Sequence, residues 1–211
     1  MKNYKIAVEA ASFGRQYLID DVAYPSITTV LGSQDSSFLT EWQNRIGIEA
    51  ANKISEHATK RGNIIHDLAE KYLLTDKDNS SGYYKHLFSP VKKYLDQNIQ
   101  EIYETETVLF SKKLKTAGRT DLIAKVDNKY KVIDFKTSNK PKKKEWIKNY
   151  HLQSSFYCLA YTEMNDIFVN DYEIVIVDEQ TFKVNVFKDS MLNHIRDFIP
   201  IRKEFQKCYG I

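Results

Sequence analysis

Apolar residues recur along the chain with two different periods, and the change falls near residue 105. Before it the pattern is helical. Ser36 or Ser37 can cap a helix from about Phe38 to Ile54, and a second helix covers roughly His57 to Leu74. A third runs from Tyr83 to Gln100 after the polar loop Thr75 to Gly82. Tyr24-Pro-Ser-Ile-Thr-Thr-Val-Leu31 is expected to be extended or turn-like at Pro25, because a residue preceding proline avoids the helical region.

Beyond that point the period is that of strands. Thr105–Ser111, Gly118–Val126 and Tyr130–Thr137 are rich in β-branched and aromatic residues and are broken at Asp127-Asn128-Lys129. A helix from about Glu145 to Met164 follows. Strands Tyr172–Val177 and Phe182–Phe187 come next, with Asp178 to Thr181 as their turn. Asp189 or Ser190 caps a final helix toward Cys208. This order predicts an α/β or α+β core with an N-terminal helical elaboration.

At 211 residues and 42% hydrophobic the chain can bury one substantial core, so a single domain over 1–211 is the expectation. Seven Gly and four Pro leave no room for a long low-complexity linker. A net charge of +3 permits a nucleic-acid partner without demanding one. The lysines are unevenly placed, with Lys112, Lys113 and Lys115 in one group and Lys140, Lys142, Lys143, Lys144 and Lys148 in another. Cys158 and Cys208 have no metal-ligand spacing, which fits a reduced cytoplasmic protein. The first residues have no apolar signal core, and no stretch is long and apolar enough for a membrane span.

The strongest chemical signal lies in one hairpin. If Asp127-Asn128 is a two-residue turn, Val126 faces Lys129, and stepping back along both strands brings Asp121 opposite Asp134. A three-residue turn would make that pair diagonal. Opposed residues point to the same face, and like charges so placed repel. Within apolar strands such a pair needs a shared proton or a cation between them, and hard carboxylate oxygens suit Mg²⁺ or Mn²⁺. Lys136, two residues past Asp134, shares its face and can orient a nucleophilic water or offset charge at an attacked phosphodiester. Asp-x-Lys alone would be no more than an exposed ion pair. The opposed Asp121 and the apolar neighbours Val132, Ile133 and Phe135 favour the functional reading.

Other candidates are weaker. His66 and Glu70 stack on one helical face with Gly62, whose missing side chain admits a strand or ligand, although a helical His is more often structural. His57, His86, His151 and His194 are given structural roles. Gln153 lies with Tyr157 on a stripe continued by Ala160, Tyr161 and Met164, and needs partners there unless half-solvated. In the loop after the last hairpin strand, Lys140, Lys142, Lys143 and Lys144 can grip phosphates while Trp146 stacks on a base. A solvated basic loop with a buried Trp is the alternative.

These residues together resemble a known family. Gly118-Arg-Thr-Asp121, Val132-Ile-Asp-Phe-Lys-Thr-Ser138, Gln153-x-x-x-Tyr157 and Arg61-Gly62-x-x-x-His66-x-x-x-Glu70 are similar to the RecB-like branch of the PD-(D/E)XK nucleases. Pro25-Ser-Ile-Thr-Thr-Val-Leu31, Trp42 with Arg45, and Asp134-Phe-Lys-Thr-Ser-Asn-Lys-Pro141 resemble the mitochondrial genome maintenance exonuclease group and its phage-like relatives. The likeness runs in order from about residue 24 to the end. It implies a restriction-endonuclease-like core, a central mixed sheet flanked by helices over 105–211, with a helical, arch-like part over 24–104. It also implies Mg²⁺ or Mn²⁺ dependence and digestion of single-stranded DNA from an end. Metal would be held by His66, Asp121, Asp134 and the Phe135 carbonyl, with Lys136 serving the water. Gln153 and Tyr157 would support the site or the DNA, and Glu106 falls near the family's acidic position before the hairpin. Asp134 stands where many relatives have Glu. Two cysteines cannot hold the iron–sulfur cluster of some members, which needs four. No helicase motif is present, so unwinding would come from a helicase, polymerase or recombination partner. The competing readings are a flap endonuclease on the same site and a nuclease-fold binding module without chemistry.

Overall fold

The computed structural model describes residues 4–34 and 36–211, and leaves out the side chains of residues 36–39. The expected capping by Ser36 or Ser37 therefore lies outside the described residues, as does the side chain of Phe38. A three-stranded antiparallel sheet opens the chain, with β1 (Ile6–Ala11), β2 (Gly14–Ile19) and β3 (Val22–Pro25) in sequential order. Four helices follow: α1 (Ile27–Gly32), α2 (Ser36–Ile46), α3 (Ile48–Thr75) and α4 (Gly82–Asn98).

The main sheet takes β4 (Glu101–Ser111), β5 (Thr116–Val126), β6 (Lys129–Ser138), β7 (Asp171–Asp178) and β8 (Val184–Ser190) in that spatial order. All neighbours are antiparallel except β6 and β7, which are parallel. That parallel pair requires a crossover, and α5 (Lys148–Asn165) supplies it. The chain ends on α6 (Met191–Tyr209).

Both faces of the sheet are covered. Leu122, Ala124 and Val126 alternate toward α3 and α4, packing with Ile65, Leu87, Phe88 and Val91. Ile123 and Val132 point to the other face, where Phe156, Tyr157 and Ala160 of α5 and Phe198 and Phe205 of α6 complete a second core.

Several boundaries differ from those expected. The N-terminal sheet had no sequence prediction, because β1 is exposed at nearly every position and shows no alternating burial. The break between the first long helices falls at Gly47, with φ +87°, and not between Ile54 and His57. Nothing from Ser55 onward interrupts helical geometry, whereas a glycine tolerates that positive φ. Helix α5 begins at Lys148, and Lys144–Trp146 forms a separate 3-10 turn before it. Strand β8 starts two residues later than expected and extends to Ser190, which occupies the N-cap position of α6. The Asp178–Thr181 turn forms as expected, its carboxylate accepting from the amides of Gln180 and Thr181 at 3.1 and 2.8 Å.

Candidate active site in the fork between β5 and β6

The central hairpin has the register expected of a two-residue turn. Asp127 and Asn128 have φ of +52° and +60°, as a type I′ turn requires, and Val126 pairs with Lys129. Pairing continues back to Leu122 and Ile133 and then stops. Strand β5 remains paired with β4 as far as Thr116, and β6 with β7 as far as Ser138. The sheet therefore forks, and Asp121 and Asp134 are the first residues past the last pair. Each lies on the face of the sheet covered by α5, since Asp121 alternates with Leu122 and Asp134 with Ile133.

The third acidic residue comes from β4. Thr105 pairs with Leu122 and Thr107 with Thr120, so Glu106 stands level with Asp121. Its own φ is +47°, an unfavourable value for a non-glycine residue, and the ladder skips it. Glu106, Asp121 and Asp134 thus lie in one row across three adjacent strands.

His66 reaches this row from α3, its Nδ1 3.1 Å from Asp121 Oδ1. The other oxygen, Asp121 Oδ2, accepts the Phe135 amide at 2.6 Å. Ligating atoms of His66, Glu106 and Asp121 lie within 4.8 Å of one another. Asp134 is buried, and neither of its carboxylate oxygens has a hydrogen-bond partner among the described residues. Lys136 Nζ approaches Asp134 Oδ2 at 2.5 Å, as an ion pair without hydrogen-bond alignment, and sits 5.4 Å from the Tyr150 ring centre.

The charges follow from this packing. Burial pushes the Asp134 carboxyl up to about 6, with Asp121 adding to the effect and Lys136 opposing it. Burial would also raise Asp121, but the cationic His66 and Lys136 and the Phe135 amide hold it below the ordinary carboxylate value. Burial alone would lower His66, yet Asp121 overrides it and raises the imidazole to about 9. Lys136 is likewise raised, because Asp134 and Asp121 outweigh its burial. Glu106 is raised by burial and by Asp121. A buried acid whose Oδ1 has no partner among the described residues and whose Oδ2 meets only the Lys136 ammonium, beside a crowded set of oxygen and imidazole donors, is a donor set that a hard divalent cation fits.

A cavity of about 480 Å³ is lined by His66, Glu106, Asp121 and Lys136, and also by Glu70, Gln153 and Tyr157, while Asp134 is buried behind it. Gln153 Nε2 donates to the Tyr157 hydroxyl at 2.9 Å, so the half-solvated alternative for Gln153 does not apply: both are buried. Gly118 lies where a Cβ would come within 2.7 Å of Tyr157 Cε1 and 2.8 Å of Ile27 Cγ2, so the glycine is required by that close approach.

The structure does not bring every candidate here. Trp42 is half-buried and Arg45 exposed on α2, and neither lines the cavity. Lys140 and Lys143 each sit 5.5 Å from the Trp146 ring centre, Lys144 pairs with Asp189 at 2.9 Å, and Lys142 lines a separate groove with Lys53, His57 and Tyr150. Trp146 is 54% exposed, which excludes the buried-Trp alternative for this loop. Sequence reasoning missed Arg15, Tyr17, Thr28, Asn63 and Arg119, all of which line the cavity. Arg119 was legible inside Gly118-Arg-Thr-Asp121; Arg15 lies on β2, where no strand was expected.

One further histidine cluster forms elsewhere: His151, Asp189 and His194 have ligating atoms within 4.8 Å of one another. The two imidazoles stack with centres 4.7 Å apart and planes 17° from parallel, so their in-plane nitrogens do not converge on one ion. Lys144 already neutralises Asp189. This cluster reads as packing.

The forked sheet carrying Asp121, Asp134 and Lys136 agrees with the family comparison, in which the PD-(D/E)XK nuclease superfamily matches residues 83–194, more than half of the chain. The chain belongs to the PD-(D/E)XK nuclease superfamily. The superfamily is one of nucleases, whose members use divalent metals. The matched span begins after His66, so the helix that delivers this imidazole lies outside it. No curated protein sequence matches the chain. Among solved structures it is similar to a candidate exonuclease of Eubacterium rectale at 10% identity and a TM-score of 0.49, covering 70% of this chain and 65% of that one. It is similar also to a phage-related exonuclease of Haemophilus somnus 129PT at 13% identity and a TM-score of 0.35, covering 66% of this chain and 78% of that one. No helix among the described residues is long and apolar enough to cross a membrane.

Proposed function

We propose that this chain is a metal-dependent deoxyribonuclease of the RecB-like branch that hydrolyses single-stranded DNA from a free end. One observation carries the reading: the fork between β5 and β6 gathers Glu106, Asp121, His66 and Lys136 around one cavity, with Asp134 buried behind Lys136. His66, Asp121 and Asp134 would hold Mg²⁺ or Mn²⁺, with Glu106 and the Phe135 carbonyl as further donors. A divalent cation held there would supply Lewis-acid polarisation of a phosphoryl oxygen and a more acidic bound water.

The protein's own groups divide the remaining work. The Phe135 amide fixes Asp121 Oδ2, which leaves Oδ1 directed to His66. Lys136 stays protonated and brings positive charge to where a phosphodiester becomes more anionic on attack. Burial keeps the Tyr157 phenol protonated, and Gln153 fixes its oxygen, so the hydroxyl hydrogen is free to donate toward substrate. Glu70, on the cavity wall one turn from His66, would orient water or metal ligands.

Strand binding would draw on the surrounding surface. Trp146 with Lys140 and Lys143 forms an exposed aromatic and cationic platform of the kind that stacks bases and tracks a backbone. Lys142 and Lys144 would extend it, and Trp42 and Arg45 on α2 would contact the strand above the site. Residues 1–211 would act as one nuclease domain, in which the helical part from 24 to 104 arches over the core from 105 to 211 and admits an unpaired strand. Duplex would then be opened by a helicase, polymerase or recombination partner in the cytoplasm of a bacterial or phage-infected cell.

The test digests 5′-labelled, 3′-labelled and circular single strands with and without Mg²⁺. Linear strands should disappear in Mg²⁺ and circles survive. Rapid cutting of circles would favour a flap or other structure-specific endonuclease, and binding without metal-dependent cleavage would leave a binding module.

A further inference from the structure

The segment Pro25-Ser-Ile-Thr-Thr-Val-Leu31 carries part of the family likeness, yet it supplies no group to the metal donor set. Its hydroxyls converge instead on Arg15. The Arg15 carbonyl accepts from the Ser26 amide at 3.0 Å and from Thr29 Oγ1 at 3.1 Å. Arg15 Nη2 donates to Thr28 Oγ1 at 3.4 Å, and Thr28 Oγ1 lies 2.9 Å from Ser26 Oγ. Strand β2 enters this arrangement closely: a Cβ on Gly14 would sit 2.8 Å from Thr29 Cγ2, and Gly14 has φ +126°. The isolated bridge between Ser26 and Ala117 then ties the whole unit to β5, one residue from Gly118.

Arg15 is thereby a wall residue of the cavity that holds His66, Glu106, Asp121 and Lys136. It has no carboxylate partner among the described residues, whereas Arg119 on the same cavity lies 3.6 Å from Glu106 Oε2. A guanidinium anchored through its backbone and one hydroxyl keeps most of its five N–H donors unused, in a planar fork that matches phosphate. The backbone of Arg15 is held by Ser26 and Thr29, and its exposed guanidinium, directed to the cavity wall, meets Thr28 alone among the described residues.

We propose that Arg15, held by Ser26, Thr28 and Thr29, grips a backbone phosphate of the strand in this cavity, adjacent to the phosphodiester at the carboxylates. This rests on the nuclease reading above. Arg15 is a binding residue; Thr28 positions its guanidinium, and Ser26 and Thr29 hold its backbone.

The test compares wild type, Arg15→Ala, Arg15→Lys and Thr28→Val on a linear single-stranded oligonucleotide. Steady-state cleavage in Mg²⁺, anisotropy binding in EDTA across a salt series, and thermal melting are measured for each. Arg15→Ala should raise KM about tenfold, as expected for a lost charged hydrogen bond, with kcat changed far less. Its salt slope should fall by about 0.7, the single-strand value for one phosphate contact. Arg15→Lys should restore the slope without the full affinity, and Thr28→Val should show an intermediate KM at the wild-type melting temperature. A wild-type KM and slope in Arg15→Ala overturns the proposal while leaving the nuclease reading intact. So does a loss that follows reduced melting temperature and is absent from Thr28→Val and Arg15→Lys. A wild-type protein that neither binds nor cleaves DNA removes the nuclease reading and this subsite together.

Discussion

The amide of Phe135 donates to Asp121 Oδ2 at 2.6 Å across the point where β5 and β6 part. Backbone pairing between these strands has ended one step earlier, at Leu122 and Ile133. A side-chain carboxylate therefore takes an amide that a continued ladder could have used, and the amide it takes belongs to the neighbour of Asp134. The same contact aims the second oxygen of Asp121 at His66 and so ties the sheet to α3.

Metal should act on both activity and stability. In EDTA cleavage should vanish, and Mg²⁺ or Mn²⁺ should restore it. Saturating metal should also raise the melting temperature, since a ligand bound only by the folded state stabilises it. Asp134→Asn, which removes the buried acid paired with Lys136, should lose at least about a hundredfold in turnover, as expected when an electrostatic contributor to the transition state is removed. It should also lose most of the metal-induced shift. Calorimetry and single-turnover cleavage measure both, and full activity in chelator would refute metal dependence.

Lys136→Ala should lower kcat by about a hundredfold or more while DNA affinity stays close to wild type, because its proposed role lies in the transition state. Removing its ammonium also leaves Asp134 without its ion-pair partner, so Asp134 should take up a proton more readily in the metal-free variant. Equal losses in affinity and rate would make Lys136 an ordinary phosphate contact.

The metal-free protein should lose stability in mild alkali. His66 is raised from its unfolded value near 6.5 to about 9, so its charged pairing with Asp121 contributes fully below about pH 6.5. That contribution should fade as pH rises through about 9. Melting temperatures in EDTA between pH 6 and pH 10 should show this decline, and His66→Gln should flatten it. A wild-type curve parallel to that of the variant would show that His66 is not the titrating group.

Gly118→Ala should disturb the site without touching a charged group. The added methyl would lie 2.7 Å from Tyr157 and 2.8 Å from Ile27, two buried side chains with little room to retreat. A cost of about 1–3 kcal/mol is expected from such overpacking. Turnover should fall as well, because Tyr157 lines the cavity beside Gln153. Chemical denaturation and cleavage assays on one preparation would test both, and an unchanged denaturation midpoint would mean the site yields more easily than its packing implies.

Much of the candidate site was legible because it is local. Two residues with positive φ at Asp127 and Asn128 fix a two-residue turn, and the turn fixes the register. Register then aligns Asp121 with Asp134, while the strand period puts Lys136 on the same face as Asp134. The 3.6-residue period of the helices likewise gave His66 with Glu70 and Gln153 with Tyr157. Long helices and apolar strands announced themselves in the same way, since their burial is periodic.

Only the tertiary structure decided the rest. No local pattern states that β5 and β6 separate beyond Leu122 and Ile133, because separation depends on β4 and β7 each keeping one strand. Glu106 gained its place because Thr105 and Thr107 on either side pair with β5, while Glu106 itself, at φ +47°, is skipped by the ladder. The break expected between Ile54 and His57 falls instead at Gly47, where the glycine takes φ +87°. Arg15 reached the cavity through a sheet whose first strand is exposed and therefore carries no periodic signal. A sequence encodes short-range register through φ preferences and side-chain alternation. The meeting of distant segments is set by which buried surfaces fit, and that is a property of the whole fold.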